Sequence, residues 1–271
     1  MPSFHFLTID VLYTPMYVVL PYLLIILQLI LAVFIWVKPN KLLTVSGSAI
    51  VGAGCLYLTN FMFSTPWMLT PKVLLYFIVG AVQVSYVAMV LFRRDDVWCI
   101  ASLSQPLMLP FLVVAHGLSA LHSGQVLLVE ALSLQWHVVS ATLAYALLSL
   151  SAFYAFAIIT RQAYLKAHAR SSFVNGLPSL DVLDKAQLNT LKLALGALFV
   201  SVIAGGFYTH ESQGVWFLLE GKTILSFVTL VLLVALLAGK RICGIRGRQG
   251  AKLVLLLYFF VITLFGISLY L

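Results

Sequence analysis

The chain has 271 residues, of which 62% are hydrophobic and 9% charged, with a mean hydropathy of +1.08. A soluble domain carries about 25% charged residues, so this composition excludes one and describes a polytopic membrane protein. The net charge of +8 does not make it a nucleic-acid binder, because the basic residues are sorted by loop rather than gathered on one segment.

Eight apolar segments come near the ~20 residues that cross hydrocarbon: 17–37, 43–63, 72–92, 97–115, 134–160, 189–208, 220–239 and 252–271. The expected fold is therefore all-α: one polytopic membrane bundle over 1–271, of about eight transmembrane helices. The first span does not read as a cleavable leader. No basic residue precedes it, its apolar run is too long, and no small-residue cleavage site follows. The fourth is interrupted by Pro106 and Pro110, which membrane helices tolerate when neighbours satisfy the freed carbonyls.

Lys38 and Lys41 follow span one, and Arg93 and Arg94 follow span three. Arg161, Lys166, Arg170, Lys185 and Lys192 follow span five, and Lys240, Arg241, Arg246, Arg248 and Lys252 follow span seven. Those are 14 of the 16 basic residues, with Lys72 and Lys222 on the other side. The positive-inside rule puts these loops in the cytoplasm and both termini on the outer, periplasmic side of a bacterial inner membrane. Anionic lipid is a secondary partner of the same charges. His5, His116, His122, His137 and His210 fall outside, as do Asp10, Glu130, Glu211 and Glu220; His168 is cytoplasmic.

Between spans, residues 116–133 carry alternating apolar and small residues, and a short interfacial helix is expected there. The cytoplasmic stretch 161–188 extends span five, breaks near Asn175-Gly176-Leu177-Pro178 and restarts, with Ser179 or Asp181 as N-cap. The outer loop 209–219 is short and aromatic. Cys55, Cys99 and Cys243 are isolated, with no CxxC and no CxxCH, so they read as structural thiols and no haem is attached covalently. Neither a catalytic motif nor a dense carboxylate cluster is present. No carboxylate or histidine relay crosses mid-span, which argues against an ion-coupled pump.

The richest segment is 137–164, which opens with Trp136-His137 and closes on basic residues. A histidine at the mouth of a membrane helix has two readings. It snorkels with Trp136 in an interfacial belt, or it ligates haem or a metal. Ser140 and Ala141 lie one turn below and Tyr145 two turns below; small residues there admit a close helix neighbour or a flat ligand.

The stretch HVVSATLAYALLSLSAFYA resembles the signature helix of the membrane cytochrome c assembly family, the haem-handling proteins of CcsA and CcmC type, and most of all its YpjD-like branch. The resemblance continues through Leu177-Pro178-Ser179-Leu180, Gly221-Lys222-Thr223-Ile224-Leu225-Ser226, Gly244-Ile245-Arg246-Gly247-Arg248 and Tyr258-Phe259, over about residues 130–271. It implies haem-binding or haem-handling in cytochrome c assembly, with haem b as cofactor and His137 as axial iron ligand. Trp136 and Trp216 would flank the haem, and an apocytochrome or another membrane protein would receive it. Lys222, at the start of span seven, snorkels to headgroups or pairs with Glu220 or Glu211, or else pairs a haem propionate or another acidic group. Stand-alone catalysis is not expected.

The chain departs from the family pattern in keeping only Trp216 in the outer segment 207–223, in Gly221 before Lys222, and in having no histidine in span two or the last span. A second ligand would come from His116, His122 or His210. Two alternatives stand beside this reading. One is a non-enzymatic accessory subunit that keeps the fold without haem, for example a partner of a metal-ion transporter. The other is a binder or transporter of a small hydrophobic metabolite, packed among the glycines and serines of helices such as span two.

Overall fold

The computed structural model describes residues 6–37, 40–62, 67–92, 97–121, 127–129, 131–167, 176–218 and 221–270. Among them eight long helices follow in order: α1 (Phe6–Val37), α2 (Lys41–Met62), α3 (Pro71–Phe92), α4 (Ala101–Leu121), α5 (Leu132–Lys166), α6 (Leu180–Gln213), α7 (Gly221–Ile242) and α8 (Gly247–Tyr270). A 3-10 turn, Val97–Ile100, leads into α4. Helices α1 to α7, counting that turn with α4, each hold a stretch long and apolar enough to cross a membrane. The eighth expected span is helical too, as α8.

As expected, span five extends as a helix, α5 running to Lys166, and the helix restarts after Pro178, with α6 beginning at Leu180. Ser179 is the N-cap of α6, accepting a hydrogen bond from the Val182 amide at 3.4 Å. The Arg161 guanidinium of α5 donates to the carbonyls of Leu177 and Pro178 and ties this entry to α5. At the far end α6 stops at Gly214, whose φ of 73° is the left-handed cap that glycine adopts without a Cβ penalty.

The segment 116–133 corrects the expectation of an interfacial helix. Helix α4 continues to Leu121, and β1 (Trp67–Leu69) pairs antiparallel with β2 (Leu127–Val129), Trp67 opposite Val129. Alternation has period two, and the pairing strand lies sixty residues upstream, beyond any local pattern.

Pro106 and Pro110 do sit inside α4. Pro106 has no N–H to give the Ser102 carbonyl one turn back. The Trp36 indole of α1 donates to that carbonyl instead, at 3.1 Å.

Helix α5 is the centre of the bundle, with 78% of its apolar window buried against 17% for α7. It packs most extensively on α6 and then on α8 and α3. Its buried side chains include the small residues Ala146, Ala152, Ala155 and Ala157, which let neighbouring helices approach closely. The glycines of α2 serve helix packing in the same way. A Cβ on Gly54 would meet Leu24 Cδ2 at 2.6 Å, and one on Gly52 would meet Gln83 Cβ at 3.1 Å. Large apolar side chains such as Leu42, Phe92, Leu256 and Phe259 are exposed on the outside.

Candidate functional site

His137 lies in the first turns of α5, half-buried against α6. Its Nδ1 is 2.7 Å from the Ser201 carbonyl oxygen, and the Ser201 hydroxyl reaches back to the His137 carbonyl at 3.2 Å. The Ser201 hydroxyl also lies 3.1 Å from Nδ1. A carbonyl only accepts, so the 2.7 Å contact is a hydrogen bond when Nδ1 carries the proton, and in that tautomer the lone pair is on Nε2. Gly205, one turn beyond Ser201, makes room: a Cβ there would stand 2.9 Å from Nδ1. The backbone below is held as well, since Ser140 donates to the Trp136 carbonyl at 2.6 Å. An imidazole whose Nδ1–H is anchored on a carbonyl is oriented to ligate through Nε2. The same bond also serves as a staple between two helices.

Trp136 and Trp216 are 59% and 52% exposed, so neither indole is committed to the core. Trp216 belongs to the turn after α6, which folds back on that helix. Its ring lies 4.5 Å from His210 and 5.4 Å from Phe207, centroid to centroid, and its carbonyl accepts from Thr209 at 2.7 Å. His116 of α4 sits edge-on to Tyr22 of α1 at 4.4 Å. The three described histidines, His116, His137 and His210, are thus engaged with different elements. Among the described residues no group of three His, Cys, Asp or Glu side chains gathers to hold a metal. His122 lies outside the described residues. Lys222 is in the first turn of α7.

For haem the donor chemistry supplies one axial nitrogen, His137 Nε2. Neither His116 nor His210 is presented beside it by the contacts above. Among the described residues Cys55, Cys99 and Cys243 form no disulfide.

Two polar clusters went unread in the sequence. The first joins Gln28 of α1, Gln83 of α3 and Gln105 of α4, at most 1% exposed. Gln28 Nε2 donates to the Gln105 carbonyl at 2.7 Å and to its Oε1 at 2.9 Å. Gln83 Nε2 donates to Gln105 Oε1 at 2.9 Å and Gln28 Oε1 at 3.2 Å. Gln105 Nε2 donates to Gln83 Oε1 at 3.0 Å and to the Ser48 hydroxyl of α2 at 2.9 Å. All six amide hydrogens are used, so the ring is closed and four helices are joined. Three mid-span glutamines in separate spans were the available signal; a search for ionisable groups passes over amides.

The second cluster is at the opposite end of α6. Lys240 of α7, 5% exposed, donates to Gln187 Oε1 and lies 3.3 Å from Asp184 Oδ1. Beside it, a cavity of about 680 Å³ opens between α6 and α7. Between Leu188 on its wall and Ser201 at the histidine, α6 rises roughly 20 Å.

No family model matches the chain, and no solved structure matches it. It is similar to an uncharacterized 28.8 kDa protein encoded in the nifR3-like 5′ region of Azospirillum brasilense, 25% identical over 158 residues. The match takes in 56% of this chain and spans 58% of that relative's length.

Proposed function

We propose that the chain is a multi-pass protein of the bacterial inner membrane that binds or relays haem b at its periplasmic face, in cytochrome c assembly. In this reading eight helices cross the bilayer, with both termini outside. The exposed apolar side chains face lipid, and the sorting of 14 of 16 basic residues to one side supports that orientation. The observation that carries the haem reading is the Nδ1–H of His137 anchored on the Ser201 carbonyl. It holds the ring in the tautomer that an axial ligand needs and leaves Nε2 for iron. Trp136 and Trp216 would border the porphyrin, and Lys222 would pair a propionate. When bound, haem supplies a redox-active iron and is itself the cargo for an apocytochrome or another membrane protein.

The test is the absorbance spectrum of the detergent-purified protein, oxidised and reduced, with a pyridine haemochrome assay. A Soret band at near-stoichiometric haem, lost in His137→Ala, is expected. A colourless protein that takes up no added haem, or unchanged absorbance in His137→Ala, would overturn the assignment.

A second reading draws on the separate engagement of His116, His137 and His210, which leaves one ligand where a pair is the family's habit. It is a non-enzymatic accessory subunit that keeps the fold without haem. Stable co-purification of colourless protein with a membrane partner, for example a metal-ion transporter, would support it.

A further inference from the structure

We infer that the cavity between α6 and α7 is a binding site for an anionic phospholipid. It is lined by four cations, Lys192, Lys240, Arg241 and Arg246, against one carboxylate, Asp184. Among the described residues, only Lys240 of the four is matched by a carboxylate. The rest of the lining is apolar, including Leu188, Leu195, Val234 and Leu237.

The order of these groups matches the ligand. Along α7 the lining passes from Val234 and Leu237 to Lys240 and Arg241 at the helix end, and then to Arg246 in the turn beyond. Apolar wall thus gives way to positive charge over roughly 10 Å. A phospholipid has the same sequence, acyl chain then phosphate. A free phosphate has no use for the apolar wall, and a zwitterionic headgroup answers the excess charge less well. Buried Lys240 is fixed by Asp184 and Gln187. Arg241 and Arg246 are exposed at the same end, and exposed Lys192, on α6 between Leu188 and Leu195, has the long stem to reach a headgroup from the apolar wall. The volume of about 680 Å³ is in the range of small-molecule sites, enough for a headgroup and the first part of its chains. The inference uses neither His137 nor haem.

The experiment is native mass spectrometry of the full-length protein in detergent, titrated with phosphatidylglycerol or phosphatidylcholine, with melting temperature as a folding control. One phosphatidylglycerol should be retained in preference to phosphatidylcholine. The triple variant Lys192→Gln, Arg241→Gln, Arg246→Gln should weaken its retention roughly a hundredfold, from about 1 kcal/mol per cation at a headgroup. Leu195→Trp, which fills the apolar wall and keeps every charge, should also weaken it. Equal retention of the two lipids, or phosphatidylglycerol retained undiminished by the triple variant, would overturn the inference. Displacement by millimolar inorganic phosphate together with indifference to Leu195→Trp would overturn it as well, in favour of a free-phosphate site.

Discussion

The glutamine ring of α1, α3 and α4 and the histidine seam of α5 and α6 are both polar contacts between helices, yet they end differently. In the ring every amide hydrogen finds an oxygen, and nothing is left over. In the seam Nδ1 is satisfied, while Nε2 keeps a lone pair. A closed network holds helices in register, because each polar group costs free energy if a neighbour shifts. A half-used imidazole holds them less tightly and keeps a donor for a ligand. The contrast separates a structural polar cluster from one suited to chemistry.

The largest break comes from the hub of the ring. Gln105→Leu should destabilise the protein by roughly 2 kcal/mol, since Gln28 and Gln83 each lose one amide-hydrogen acceptor, and Gln83 Oε1 and the Ser48 hydroxyl lose their donor, in the core. Replacing all three glutamines by leucine should cost less than that single change, because only the Ser48 hydroxyl then loses its partner. Unfolding in mixed micelles measures both, and a triple variant weaker than Gln105→Leu would refute the closed-ring account.

Gly205→Ala should come next, at about 1–2 kcal/mol, by forcing a methyl group to 2.9 Å from Nδ1. It should also alter any haem spectrum, because the imidazole must turn; a normal melt and an unchanged spectrum would show that the seam tolerates the methyl group. His137→Ala should have the smallest effect on stability, about 1 kcal/mol for one neutral interhelical bond, while removing haem absorbance. A stability loss as large as that of Gln105→Leu would make His137 a structural staple instead.

Much of this architecture was legible in the chain. Long apolar runs separated by basic or aromatic loops located every helix, since crossing length and hydropathy are local properties. The Ser179 cap and the break before it were readable because capping is a matter of a few consecutive residues. The strand pair Trp67–Leu69 with Leu127–Val129 was not, because the segments are far apart and each is only three residues long. His137 could be singled out by its place before an apolar helix. Its anchoring on Ser201 could not be, and the glutamines were passed over because one amide in an apolar span carries no sign of its partner.

The sequence by itself determined the all-helical class and the positions of the long apolar helices, because length and hydropathy are properties of each segment separately. Only the tertiary structure decided which polar groups meet. His137 and Ser201 are 64 residues apart, and Gln28 and Gln105 are 77 apart. Whether such a group is satisfied or left with a lone pair depends on how two helices turn their faces to each other. At the seam that rotation brings Gly205 against the His137 ring and Ser201 onto its Nδ1, a property of the pair that neither helix encodes alone.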